Sequence, residues 1–146
     1  MAPLDRQDDP AQPDVAATPD PEQITIYEAT GAMPFFHDLV AGFYRRVAED
    51  PVLRRLYPEQ EDLGPAAERL ELFLAQYWGG PTTYSEQRGH PRLRMRHLPF
   101  TIGPEERDHW LAAMNGSLDE LQVHPLLRER FDAYFTMSAE AMRNHD

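Results

Sequence analysis

Residues 76–97 decide how this chain is read: Gln76-Tyr77-Trp78-Gly79-Gly80-Pro81, then Thr82-Thr83-Tyr84-Ser85-Glu86-Gln87-Arg88-Gly89-His90-Pro91-Arg92-Leu93-Arg94-Met95-Arg96-His97. Gly79-Gly80-Pro81 ends a helix, because glycine takes the left-handed closing turn and proline cannot continue the hydrogen-bond ladder. Residues 82–90 read as a loop. Pro91 to His97 reads as a short helix, with Pro91 and Pro99 as its bounds. Between Glu86 and Glu105 there is no acidic residue, yet Arg88, Arg92, Arg94, Arg96, His90 and His97 all fall in that gap. Such an island stands out in a chain of net charge −11, with 25 acidic residues and 14 basic ones. It reads either as a solvated basic loop facing acidic helices or as an anion site, since guanidinium forks pair with carboxylate or phosphate. Four arginines suit a small dianion better than a long duplex.

On either side of this stretch the periodicity is helical. Ile24 to Ala29 is a short first helix stopped near Gly31. Pro34 sits in the first turn of the next, where Phe36, Leu39, Val40, Phe43, Tyr44 and Val47 recur at three- and four-residue steps until Asp50-Pro51. Val52 to Leu56 forms a turn of helix, and the acidic loop Glu59–Leu63 follows Tyr57-Pro58. Pro65 starts a helix with Leu70, Phe73, Leu74, Tyr77 and Trp78 inward. Pro104 opens a longer one with Trp110, Leu111, Met114 and Leu118. Pro125 opens the last, with Leu127, Phe131, Tyr134, Phe135 and Met142. No segment alternates like a strand, so the fold class is all-α, with short angled helices.

The length, 146 residues, suits one domain. Residues 1–22 hold five prolines and six acids with no aromatic, too little apolar surface to offset ordering entropy. They are expected to be a disordered acidic tail, and residues 23–146 the folded domain. The chain has no cysteine, which excludes disulfides and thiolate chemistry. The acidic balance argues against nucleic acid as a partner. No apolar run is long enough for a membrane helix and no signal-peptide core is present, so the cytoplasm is the default location.

His97 shares a face with Leu93 and Phe100. A histidine so placed is more often an ordinary core or surface residue; it is also the pattern of an axial haem ligand, with arginines outside for two propionates. A zinc site would need several ligands, and no His/Asp/Glu set has that spacing. Tyr44, Tyr57 and Trp110 lie at core positions with hydrogen-bonding tips, either as plain core residues or as donors converging on a ligand. His37, His109, His124 and His145 read as surface residues.

These residues together resemble the truncated haemoglobins, and more closely the group II branch found in actinobacteria. Residues 76–81 and 83–97 carry the resemblance nearly residue for residue. Phe43-Tyr44, Leu56-Tyr57-Pro58 and Glu106-Arg107-Asp108 leading to Trp110 add to it. It covers about residues 24–144. One departure is Gly31-Ala32, where the family usually has a double glycine after the first helix.

The resemblance implies a two-over-two helical sandwich around haem b, with His97 as the proximal iron ligand. It implies a distal pocket of Tyr44, Tyr57 and Trp110, with Ala66 and Leu70 one turn apart on the distal helix. Ala66 fits a branch that lacks the usual distal histidine. Phe73, Leu74, Met95, Phe100, Ile102 and Met114 would be apolar haem walls. Arg69, Tyr84, Arg88, Arg94 and Arg96 are the candidates for the propionates. The implied function is binding of dioxygen and other diatomic ligands, and three donors imply slow release. The alternative on the same scaffold is a peroxidase or NO dioxygenase, the latter with an external reductase. Either a monomer or a homodimer is compatible with the sequence.

Overall fold

The computed structural model describes residues 24–57 and 62–146. The tail expected over 1–22 lies outside the described residues, as does most of the acidic loop after Pro58. The helices, in chain order, are α1 (Ile26–Ala29), α2 (Met33–Glu49), α3 (Pro51–Arg54) and α4 (Gly64–Tyr77). They are followed by α5 (Thr83–Arg88), α6 (Leu93–His97), α7 (Pro104–Glu120) and α8 (Pro125–Ala141). Among the described residues there is no strand. No helix among them is long and apolar enough to cross a membrane.

The local chemistry explains most boundaries. Thr25 caps α1 through a reciprocal pair with Glu28: Glu28 N–H donates to Thr25 Oγ1 at 3.0 Å, and Thr25 N–H donates to Glu28 Oε1 at 3.1 Å. Prolines 34, 51, 65, 104 and 125 occupy first-turn positions, where their missing N–H costs nothing. Asp50 closes α2 and caps α3, its Oδ1 accepting from Val52 N–H at 2.9 Å.

One expected loop is helical. Residues 83–88 form α5, a six-residue helix with one buried side chain, Tyr84. One apolar anchor in six residues leaves no periodicity to read. The order comes from Gln76 at the end of α4. Its amide donates to Ser85 Oγ at 2.7 Å and its carbonyl accepts from Ser85 N–H at 3.0 Å.

The helices pack as two pairs, α2 with α4 and α7 with α8, joined chiefly where α2 crosses α7. Phe36, Leu39, Val40, Phe43 and Val47 of α2 are buried against Met114 and Leu118 of α7 and Phe131 and Phe135 of α8. Gly42 permits the close crossing: a Cβ there would sit 2.4 Å from Ser117 Oγ, which itself donates to Leu39 O at 2.7 Å. Gly79 and Gly80 let the chain after α4 pass under α1. Gly79 has φ +105°, and a Cβ on either would fall within 2.7 Å of Thr25 or Tyr27.

Candidate functional site

Between the two helix pairs lies a cavity of about 470 Å³. That is within the range of small-molecule and cofactor sites, roughly 300–1,000 Å³. Each wall is set by a different element.

Helix α2 supplies Tyr44, which is buried, and the turn after α3 supplies Leu56 and Tyr57. The rings of Tyr44 and Tyr57 meet edge-on with centroids 5.6 Å apart. Helix α7 supplies Trp110, packed between Phe43 at 5.3 Å and Phe135 at 5.8 Å. Packing on two sides fixes the indole, so its direction does not depend on a bound partner. Helix α4 supplies Ala66, Arg69, Leu70, Phe73 and Leu74 from one face. The small Ala66 leaves space rather than a polar group above the cavity.

The opposite wall is α5, α6 and the loop beyond. Tyr84 is buried, with its ring 5.5 Å from Phe73, and Arg88 lies one turn on. His97 ends α6 and lines the cavity together with Leu93, Phe100 and Ile102. His97 Nδ1 lies 2.6 Å from the carbonyl of Leu93. A carbonyl can only accept, so Nδ1 carries the hydrogen and Nε2 keeps its lone pair for a metal. Arg96 also lines the cavity, its Nε donating to Pro91 O at 2.6 Å.

The cavity therefore brings together Tyr44, Tyr57, Trp110, Ala66, Arg69, Leu70, Phe73, Leu74, Tyr84, Arg88, Arg96, His97, Phe100 and Ile102. Three residues expected there do not line it. Met95 is 55% exposed, because it lies on the solvent side of a five-residue helix. Met114 is fully buried, but in the α2–α7 crossing. Arg94 reaches away to donate to Ala141 O at 2.7 Å, tying α6 to the end of α8.

The sequence reading missed the contribution of α8: Tyr134, Phe135, Ser138, Ala139 and Met142 also line the cavity. Their spacing of three and four residues was the available signal, since it continues the stripe read at Phe131, Tyr134 and Phe135. Glu106 and Arg107 at the start of α7 were missed too. Glu106 Oε1 accepts the Gly103 N–H at 2.8 Å. That bond holds its carboxyl below the ordinary carboxylate range against burial, with Arg55 at 3.0 Å assisting. Arg107 is raised above its ordinary value, first by its hydrogen bond to Glu140 and then by Asp108. The rim there carries one fixed charge of each sign.

A flat haem suits this donor set. The lining is largely apolar, it includes one histidine able to offer a ring nitrogen to iron, and Arg69, Arg88 and Arg96 are among it as cations that could pair with carboxylates. One axial ligand suffices for such a group.

The comparisons with known proteins point to one family. The family model described as bacterial-like globin matches residues 25–144. The group 2 truncated hemoglobin YjbI of Bacillus subtilis is 41% identical over 118 residues, covering 81% of this chain and 87% of the relative. Among solved structures, a thermostable hemoglobin from the actinobacterium Thermobifida fusca is 57% identical with a TM-score of 0.81. That match covers 83% of this chain and 98% of the other. The structure titled truncated oxygen-avid haemoglobin from Bacillus subtilis is 40% identical with a TM-score of 0.78, covering 83% and 100%.

Proposed function

The chain belongs to the bacterial-like globin family as a group II truncated haemoglobin with the two-on-two helical fold, and on that premise we propose that it binds dioxygen and other diatomic ligands at haem b held by His97. The observation that carries this reading is the His97 Nδ1–Leu93 carbonyl bond at 2.6 Å, in a residue that lines the cavity opposite Tyr44, Tyr57 and Trp110. Haem would be held by His97 and would supply an iron able to bind a diatomic ligand.

The chain's own residues do the rest. The backbone bond at Nδ1 sets the tautomer and rotation of His97, and makes Nε2 the better donor to a metal. Arg69, Arg88 and Arg96, with the Tyr84 hydroxyl, are positioned to meet two carboxylates. Exposed pairs of that kind contribute about 0–1 kcal/mol each, so their main effect is to orient the group. Phe73, Leu74, Phe100 and Ile102 keep water away from its faces.

Tyr44 and Tyr57 hold O–H protons, and Trp110 an N–H proton, at the opposite wall. These donors suit a ligand whose outer atom is partly negative. In a water-poor cavity each such bond contributes about 1–3 kcal/mol, or roughly ten- to a hundredfold in release rate. Slow release follows, and the oxygen-avid character printed for the Bacillus subtilis relative is in keeping with it.

Stopped-flow release of dioxygen from the ferrous protein tests the reading. Trp110→Phe removes the indole donor and keeps an aromatic ring, so release is expected to accelerate about tenfold or more. Native rates in both Trp110→Phe and Tyr57→Phe would overturn the donor mechanism. Purified protein with no visible haem absorbance after haem supplementation would overturn the cofactor.

A further inference from the structure

The helix that carries His97 is too short to orient it. Helix α6 has five residues, fewer than the two or more turns at which intrahelical bonds outweigh the cost of nucleation. Arg92, which precedes it, sits in the left-handed region at φ +46°, gives it no side-chain cap, and no residue of α6 is buried. The bond from Nδ1 to Leu93 fixes the ring relative to α6. Something else has to fix α6 relative to the cavity.

That role falls to the segment just beyond α8. Asn144 faces the turn that follows His97. Its Nδ2 donates to Phe100 O at 2.8 Å, with a longer approach of 3.4 Å to the carbonyl of His97 itself. Its Oδ1 accepts the N–H of Ile102 at 2.9 Å. The backbone completes the clasp: Asn144 N–H and His145 N–H both donate to Ile102 O, at 2.8 and 3.1 Å. Arg94 adds a tie from α6 itself to Ala141 O. The side-chain amide is used at both ends, as donor to the carbonyls of Phe100 and His97 and as acceptor from Ile102 N–H, with the neighbouring His145 Nδ1 also 2.5 Å from its oxygen. No other side chain type of that length offers both groups in that fixed arrangement.

We infer that Asn144 is a positioning residue for the proximal histidine: through residues 97–102 it sets the height and tilt at which His97 Nε2 meets the cavity. The inference rests on the reading of His97 as the axial ligand. Its consequence is that the far C-terminus tunes the iron–histidine bond without touching the haem. Asn144 is partly buried, about 47 positions from His97 in sequence, and does not line the cavity.

The test uses the full-length haem-loaded protein and two measurements. Amide hydrogen exchange reports whether the clasp is broken, and the iron–histidine stretching band in the Raman spectrum of the ferrous, ligand-free protein reports the bond to Nε2. In Asn144→Ala the Ile102 amide is expected to lose protection while amides of α2 and α7 keep theirs. The stretching band should then shift and broaden as His97 samples several tilts. Loss of Ile102 protection with an unchanged band overturns the inference. Should Asn144→Ala not fold, Asn144→Asp decides in the same way. It keeps the acceptor for Ile102 and loses the donor to Phe100, so a smaller shift is expected and an unchanged band again overturns the assignment. Absence of any such band in the unsubstituted protein would instead sink the reading of His97 as ligand, and so is distinguishable.

Discussion

The α2–α7 crossing and the segment from Thr82 to Gly103 wall one cavity by different physics. In the crossing, Phe36, Leu39, Phe43, Val47, Met114 and Leu118 have no exposed surface. Tyr44 and Trp110 are aimed by the close packing around them. In the segment, no residue of α6 is fully buried, Leu93 packs only partly against the core, Met95 and Leu98 are more than half exposed, and His97 is tied by hydrogen bonds to Leu93 and from Asn144. Packing gives a rigid wall on the α2–α7 side that tolerates little change of volume. Polar ties give a wall on the α6 side that is set by few atoms and can be retuned without disturbing the core.

The sharpest way to break this contrast is one truncation on each side. Phe43→Ala opens a cavity at a fully buried site and is expected to cost about 3–5 kcal/mol of folding stability. Met95→Ala, at an exposed site, is expected to stay within about 0.5 kcal/mol. Urea midpoints of the two variants measure both. Comparable losses would mean that the segment is held by burial after all, and the division drawn above would be wrong.

The same contrast explains what was legible in the sequence. The stripe from Phe36 to Val47 has to be apolar at helical spacing to be buried, so it could be read directly, and the structure buries those residues. Helix α5 has no such stripe. It is ordered by the bidentate bond from Gln76 to Ser85, a nine-residue reach that periodicity does not encode. The placement of His97 and the arginine island came from the pattern of residues 76–97. Met95 and Met114 were placed on the cavity wall by the resemblance; their apolarity says only that a side chain seeks burial and not against what. Asn144 gave no signal, because its partners in the turn after His97 are backbone atoms 42 to 47 positions away.

The turn that leads into α2 carries backbone strain. Ala32, at the entry to α2, has φ +68° and ψ −150°, a region that glycine alone occupies easily. It is held there by its N–H to Tyr27 O at 2.8 Å and by Phe35 N–H to its own carbonyl at 3.0 Å. Such a conformation costs a non-glycine residue about 1–3 kcal/mol. Glycine would remove that cost but adds roughly 0.5–1 kcal/mol of chain entropy in the unfolded state. Ala32→Gly is therefore expected to stabilise the protein, by up to about 2.5 kcal/mol, seen as a higher urea midpoint. A lower midpoint would show that the turn is relaxed with alanine.

The smallest effect concerns a histidine–carboxylate tie at the edge of the crossing. His109 of α7 lies 2.7 Å from Asp50 Oδ2, and Asp50 caps α3. The bond to Asp50 raises His109 above the ordinary imidazole value, against burial. Burial pushes Asp50 up, but the hydrogen bonds from His109, Leu53 N–H and Val52 N–H outweigh it and leave its carboxyl below the ordinary range. A group raised on folding stabilises fully below its unfolded value and loses that as pH climbs through its folded value. A depressed carboxyl stabilises above its unfolded value and loses that as pH falls through its folded one. The pair thus contributes most between the ordinary values of the two groups, roughly pH 4 to 6.5. Asp50→Ala removes the cap as well and should cost about 1 kcal/mol. His109→Gln keeps the cap and removes only the titration, so its urea midpoint should fall below that of the unsubstituted protein near pH 5.5 and approach it by pH 8.5. A constant gap across that range would mean that the contact is packing, of the same kind as the crossing beside it, and not a charge-dependent tie.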